Sequence, residues 1–464
     1  MTTTKMRLFS KRNDVDMTQG GILKNILLFA IPLLIGNLFQ QMYNMVDTWV
    51  IGRSGIDDAY AAVGSVGPII NILIGFFVGL SSGTSVVVSQ FYGAKEHKKV
   101  KDAVHTAIAA TVIMGILCTV IGVVFTPTFL TLMFKGQDGS IYPYAKSYLT
   151  IYFSGIMGLM IYNMCSGILR AVGDSKRPFY FLVVSSVINI ILDLVFVFLC
   201  GMDADGVALA TIIAQWVSAI LSVIALLKTE ACIKLFPKEI RIYGSMLKKI
   251  ILIGFPAGLQ MALTAFSNVF VQSYIANVNG NPTHILGGWT SYSKIDMFLF
   301  LPVQSIALSV TTFVGQNVGI GNYKRAKEGT YKALGVSLGI TATVIVITML
   351  LSKYLVTIFN STPEVVEYGS MLLLWLSPFY LLPCINQIFA ASLRGMGNST
   401  APMIIMLSTF VGFRQLYLFV MTSFISNEIL PVAFSYPAGW FVCSVTIVTY
   451  FFLYKPKKNS ITEN

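Results

Sequence analysis

The chain has 464 residues, of which 55% are hydrophobic and only 11% charged, and it carries a net charge of +12. Soluble domains carry about 25% charged residues, so this composition, with a mean hydropathy of +0.74, excludes a soluble globular enzyme and points to an integral membrane protein. No P-loop or nucleophile elbow is present, so any active transport must draw on an ion gradient or another subunit.

The first twenty residues, MTTTKMRLFSKRNDVDMTQG, are polar and basic, with neither an apolar core nor a small-residue cleavage site. They do not read as a removable signal peptide, and the first helix is expected to anchor itself. Apolar runs long enough to cross about 30 Å of hydrocarbon then recur along the chain. They predict about twelve helices, over 24–51, 59–91, 102–127, 143–170, 178–200, 206–227, 246–277, 285–317, 328–352, 365–393, 400–425 and 432–454.

These spans leave 26 of the 32 Lys and Arg on the side of the termini and five (Arg53, Lys135, Lys146, Lys294 and Lys353) on the other, with Arg414 inside a helix. That bias is the positive-inside pattern and predicts a multi-pass cell-membrane protein with both termini cytoplasmic. The basic balance is thus topological, and no nucleic-acid partner is expected. Six cysteines, Cys118, Cys165, Cys200, Cys232, Cys384 and Cys443, include no CxxC pair, and three histidines, His97, His105 and His284, lie far apart. Neither set reads as a metal centre, and no cofactor is expected.

The chain repeats itself. FAIPLLIGNLFQQMYNMVD at 29–47 lies over IGFPAGLQMALTAFSNVFV at 253–271, SQFYGAKEHKKVK at 89–101 over GQNVGIGNYKRAK at 315–327, and LRAVGDSKRP at 169–178 over LRGMGNSTAP at 393–402. Six crossings per copy is an even number, so both copies enter the membrane from the same side. The expected architecture is an all-α polytopic fold of two parallel six-helix repeats around a central cleft. Its parts are an N-terminal lobe at 1–228, a polar linker at 229–245 and a C-terminal lobe at 246–464, as a monomer in the bilayer.

An acid interrupts the first helix in MYNMVDTWVIG at 42–52. A carboxylate within hydrocarbon is costly unless it faces protein or water, which makes Asp47 a functional candidate. Helix 5 offers Asn189 and Asp193 at i and i+4, and helix 6 offers Val207 and Thr211 at the same spacing. By helix rise, Asp47, Asp193 and Thr211 all lie roughly 8–11 Å from the membrane face opposite the termini. Two carboxylates at one depth can share a proton or bind a hard cation such as Na+, with oxygens from Asn189, Thr211 and the backbone near Val207. The commonplace readings are a helix end capped by Asp47 and a packing hydroxyl at Thr211.

With PLLIGNLFQQMYNMVDTWVIGR in helix 1, VSQFYGAKE after helix 2, the turns LRAVGDSKRP and LRGMGNSTAP, and the doubled six-helix layout, nearly the whole chain resembles the MATE (multidrug and toxic compound extrusion) transporters. The resemblance implies proton or sodium coupling through the helix 1 aspartate and the helix 5 Asn-x-x-x-Asp, here Asp47, Asn189 and Asp193. In the second copy Val271 falls over Asp47 and Tyr417 over Asp193, so the cation site is not duplicated and coupling is expected to be asymmetric. Some members carry acids in helices 7 and 10; here helix 7 has none and helix 10 only Glu364 and Glu367 at its outer end.

Charge in the second copy falls instead on Lys294 and Asp296 in helix 8 and Arg414 in helix 11. Lys294 and Asp296 are about 200° apart around a helix and cannot pair with each other. Arg414 is roughly 21 Å from its helix start by helix rise, too deep to snorkel, and needs an anion, either Asp296 or a substrate.

The resemblance implies antiport of amphipathic organic cations or other drug-like compounds against protons or sodium. The alternative is a flippase for a lipid-linked precursor, which would want a cavity rich in basic residues and extra helices. The charge bias yields a direct test of topology. A variant whose only thiol is Cys232 should resist an impermeant maleimide in intact cells and react after permeabilisation; ready labelling of intact cells would reverse the orientation.

Overall fold

In the computed structural model residues 15–53, 56–134 and 139–455 are described; the tails beyond them, and Lys135, lie outside the described residues. Twelve helices are long and apolar enough to span a bilayer. They are α1 (Ile22–Arg53), α2 (Asp58–Gly93), α3 (His97–Thr131), α4 (Ile141–Ala171), α5 (Lys176–Leu199), α6 (Ala204–Lys228), α7 (Gly244–Ala276), α8 (Pro282–Gly319), α9 (Tyr323–Leu350), α10 (Pro363–Gly395), α11 (Thr400–Ile425) and α12 (Ile429–Leu453). No strand occurs among the described residues, as hydrocarbon requires of a non-barrel protein, because only a helix satisfies its own backbone there.

Local chemistry sets several boundaries. At α8 the Asn281 side chain accepts the Thr283 N–H at 3.1 Å, with Pro282 in the first turn where its missing N–H costs nothing. At α9 Asn322 caps the Arg325 N–H at 3.0 Å. Apolar stripes then face outward: Ile113, Leu117, Val120 and Val124 line one exposed flank of α3 at helical spacing, as a lipid-facing surface should.

The halves run α1–α6 and α7–α12, joined by the polar segment 229–243, which is tied down along α3. There the Phe236 N–H donates to His105 Nε2 at 3.0 Å and the Tyr243 N–H to Thr106 Oγ1 at 3.1 Å. His105 therefore anchors the linker. Nearby, the Lys101 ammonium beside Glu239 holds that carboxyl below the usual range.

Where the two halves meet, glycines decide the geometry. Gly79 and Gly83 of α2 face Gly258 and Gly254 of α7, and a methyl group on any of them would enter the partner's backbone. Both helices thus carry small-xxx-small pairs, the pattern that lets helices in lipid approach to backbone contact. Nearer the termini the crossing becomes reciprocal. Gly93 lies against the Gln316 carbonyl and Gly319 against the Gln90 carbonyl. Gln90 Nε2 donates to the Gly395 carbonyl at 2.9 Å, while Gln316 Nε2 donates to the Ala171 carbonyl at 2.8 Å. These are corresponding residues of the two repeats, so the internal symmetry of the sequence is realised as a crossed pair of hydrogen bonds on the pseudo-twofold axis.

A short strap reinforces that end. The Val15 N–H donates to the Gly173 carbonyl at 3.1 Å, and fully buried Met17 donates its N–H to Gln316 Oε1 at 3.2 Å while its carbonyl accepts from Asn317 Nδ2 at 3.0 Å. Towards the opposite face nothing lies within 4 Å of where a Cβ would stand on Gly64 or Gly67 of α2. The strap and the crossed hydrogen bonds thus join the halves on the side of the termini.

Two substitutions in one helix should therefore act with opposite sign. Gly83→Ala forces the α2–α7 contact apart and is expected to destabilise by about 1–3 kcal/mol. Gly64→Ala, in open space, should stabilise by roughly 0.5–1 kcal/mol through helix propensity. Thermal unfolding in detergent measures both, and equal effects would contradict the backbone contact.

Candidate functional site

Helices α1, α5 and α6 bring the first-half candidates together. The carboxyls of Asp47 and Asp193 abut one another, with Asp193 fully buried and Asp47 half-buried. Asn189 is one turn away on the same face of α5 and is also buried. No donor among the described residues reaches Asp47 Oδ1 or either Asp193 oxygen, and both polar atoms of the Asn189 side chain are likewise without a partner.

That combination is unstable as drawn. Two adjacent carboxylates in a low-dielectric interior repel, and a buried acceptor without a donor costs about 1–3 kcal/mol or more. A proton held between the acids, or a small hard cation bound by their oxygens, removes both penalties. The residues present fit such a group: the unsatisfied oxygens of two acids meet, and an unpartnered amide stands one helical turn away. Among the described residues no set of three or more His, Cys, Asp or Glu side chains forms a transition-metal site.

Beside Asn189 is a cavity of about 20 Å³, lined among others by Gln40, Tyr43, Tyr162, Thr211 and Gln215. It has room for about one water. Thr211 adjoins it, but its hydroxyl donates to the Val207 carbonyl at 2.9 Å. That carbonyl, expected to be exposed for a cation, is instead buried and already accepts one hydrogen bond. Tyr43 and Tyr148 lie within electrostatic reach of the acids; neither was singled out in the sequence, because tyrosines abound in it. Asp205, also passed over, has a buried Oδ1 with no partner.

The second half departs from its expected alignment. In α5 the buried face runs through Phe181, Leu182, Ser185, Ser186, Asn189 and Asp193. In α11 it runs through Ile405, Met406, Thr409 and Phe410, which correspond one for one, but then passes to Arg414 and Leu418 rather than to Phe413 and Tyr417. The cause is a π-helical turn over Ser408–Phe413, in which the Arg414 N–H reaches back to the Thr409 carbonyl. One extra residue in the turn rotates everything beyond it onto the next face. Leu418, not Tyr417, therefore takes the place of Asp193, and Arg414 takes that of Asn189. Tyr417 turns aside and donates to the Pro431 carbonyl at 3.2 Å.

The proposed ion pair between Asp296 and Arg414 does not form. Asp296 accepts a hydrogen bond from the Tyr380 hydroxyl, which is 3.0 Å from that of Tyr292. Arg414 donates through Nη2 to Ser267 Oγ at 2.7 Å and to Asn268 Oδ1 at 2.9 Å, with its guanidinium 4.7 Å from the Tyr436 ring centre. Tyr436 stands near both charges. Lys294 points elsewhere, over the Phe359 ring at 5.6 Å. Around Asp296 the rings of Phe300, Tyr380, Tyr436 and Trp440 form a continuous aromatic wall.

Residues 32–195 and 256–420, one stretch from each half, match the MatE family model. The probable multidrug resistance protein YoeA of Bacillus subtilis is 29% identical to this chain over 94% of it and 95% of that protein. A FAD transporter of Shewanella oneidensis is 24% identical, over 84% of this chain and 86% of that protein. The fold is similar to a solved structure described as the outward-facing conformation of a multidrug resistance MATE family transporter of the MOP superfamily, with a TM-score of 0.88, 21% identity, and coverage of 96% of this chain and 98% of that one.

The Tyr380 hydroxyl is the donor that Asp296 has, so Tyr380→Phe should lower stability in detergent by about 1–3 kcal/mol. Adding Asp296→Asn should recover part of the loss, because a neutral amide is cheaper to leave buried than a carboxylate. An unchanged melting temperature for Tyr380→Phe would remove that hydrogen bond from the account.

Proposed function

This chain belongs to the MatE family, and we propose that it is a secondary multidrug exporter, driving amphipathic organic cations or other drug-like compounds out of the cell against protons or sodium. It is a multi-pass membrane transporter and not an enzyme, and its energy comes from an ion gradient rather than a bound cofactor. The termini and the linker are assigned to the cytoplasm on the Lys and Arg bias.

One observation carries the coupling assignment: Asp47 and Asp193 abut in the membrane interior with oxygens that no protein donor satisfies. With a proton or sodium bound the site is neutralised; emptied, it holds two uncompensated charges that favour a different packing of α1 against α5. Asn189 and, more distantly, Thr211 supply further oxygens, and Val207 contributes its backbone only secondarily. Substrate and ion thereby bias the same alternating-access equilibrium through different affinities for its two states. In the C-terminal half, Asp296 with its aromatic wall is the candidate for a substrate's cationic group, since an acid behind ring faces suits an organic ammonium. Lys294 is assigned no contact.

In inverted vesicles carrying an imposed proton or sodium gradient, wild-type protein should accumulate a fluorescent organic cation. Asp47→Asn and Asp193→Asn should each insert normally and abolish gradient-driven uptake, because an amide can neither cycle a proton nor supply negative charge. The double variant should be little worse than either single one, as expected of groups acting as a unit. Full uptake by Asp47→Asn at equal protein level would refute the assignment.

A further inference from the structure

We infer that the interior of the C-terminal half is a receptor for an acidic group: Arg414 and Arg394 form a site for the carboxylate or phosphate of an amphipathic ligand. Both guanidinium groups rest against one helix, α7. Arg394 Nη1 donates to Gln260 Oε1 at 3.4 Å, and Arg414 Nη2 to Ser267 Oγ at 2.7 Å and Asn268 Oδ1 at 2.9 Å. Gln260 and Ser267 are seven residues apart, so the two anchoring points stand about 10.5 Å apart along α7 by helix rise.

Neither arginine has a counter-charge. Arg394 is 8% and Arg414 3% exposed, and among the described residues no carboxylate lies within ion-pair distance of either. Arg414 Nε is buried with no hydrogen-bond partner at all. Asp296, one of the two anions expected for Arg414, accepts from the Tyr380 hydroxyl instead. Arginine does not shed its proton in proteins, so both keep their positive charge; Arg394 is in the last turn of α10, where a helix C-terminus favours it, whereas Arg414, fourteen residues into α11, has neither snorkelling nor a paired acid to relieve it.

The first half holds the opposite arrangement at the related place. The π-helical turn sets Arg414 where α5 has Asn189, and its contact Ser267 corresponds to Tyr43, which lines the small cavity beside Asn189. The first half thus presents two adjacent acids where the second presents Arg414, while Arg394 has its repeat counterpart in Arg170. A planar guanidinium fork with unused N–H groups fits a carboxylate or phosphate, and Tyr436 and Trp440 supply ring faces beside it for an apolar body.

The inference deepens the export reading and rests on it for the amphipathic character of the ligand. Its test measures binding with no gradient, so failure here is separate from failure of coupling. Purified full-length protein in detergent is presented by equilibrium dialysis with a zwitterionic fluoroquinolone and with its ethyl ester, which differ in one anionic group. The acid should bind wild type about tenfold or more tightly than the ester, a gap of about 1.4 kcal/mol. Arg414→Gln should bring the acid to the level of the ester and leave the ester unchanged, Arg414→Lys should retain part of the preference, and Arg394→Gln should show a smaller loss. Equal affinity of wild type for acid and ester would overturn the proposal without recourse to any variant. Inorganic phosphate that displaces the acid but not the ester supports a shared site; phosphate that raises thermal stability while acid and ester bind equally would make it an inorganic-anion site and refute the ligand assignment.

Discussion

The joining of the two halves depends first on one contact, the backbone-to-backbone approach of α2 and α7. In lipid no hydrophobic effect drives helices together, so the two halves are held by van der Waals packing at close range and by the few hydrogen bonds that cross between them. Gly79 and Gly83 against Gly254 and Gly258 provide the first. Gln90 and Gln316, each reaching the other half's backbone, provide the second. The contact runs from Gly83 and Gly254 through Gly79 and Gly258 to Gly75 beside Met261, into the middle of both helices, while the crossed hydrogen bonds stand nearer the termini. Because the crossed hydrogen bonds are made by repeated residues, the same few positions fix both the axis and the joined end.

Within the halves the governing term is the cost of charge without water. A carboxylate in this interior must be matched by a donor, a cation or a proton, and a guanidinium by an anion. Asp296 satisfies the rule locally through Tyr380. The linker-bearing end does so with visible pairs, such as Arg177 with Asp174 at 3.1 Å. Asp47 with Asp193, and Arg414, do not, although all three stand inside membrane-spanning helices. In a transporter that is where imbalance is useful, since a site already neutralised by protein would have no differential affinity for an ion or a substrate.

The helix count and the duplication were legible in the sequence because they rest on long-range regularities: twenty-residue hydropathy and a repeat offset that survives over three separate motifs. The meeting of Asp47, Asn189 and Asp193 was legible for a related reason. Depth in a membrane is countable along a helix, and an acid there is rare enough to stand out. What escaped was local. The glycine pairs of α2 and α7 were in plain view, yet glycine in a membrane helix has too many uses for the pairs to declare their partners. The engagement of the Val207 carbonyl by Thr211 depends on a rotamer and could not be read from spacing. The pairing of Asp296 with Arg414 failed because each has neutral partners, Tyr380 for the acid and Ser267 with Asn268 for the guanidinium, and such partners are not legible from position along a helix.

The π-helical turn in α11 was the least legible feature, and it shows how a duplicated fold loses its symmetry without losing its architecture. Sequence alignment keeps the offset constant through the turn, so it assigns Tyr417 to the place of Asp193. The structure adds a residue to one turn, and beyond it each side chain of α11 moves on by about 100°. The backbone path barely changes, since the helix still spans the same thickness between the same neighbours. Its buried face changes completely: a residue that would have looked toward lipid, Arg414, is carried inward against Ser267, and the tyrosine is turned out to the Pro431 carbonyl. An arginine on the outward face at that depth would meet lipid. The turn therefore accounts for the unpaired positive charge in this half, whereas the missing acid pair is a matter of sequence, since neither Tyr417 nor Leu418 could replace Asp193 and Val271 stands over Asp47.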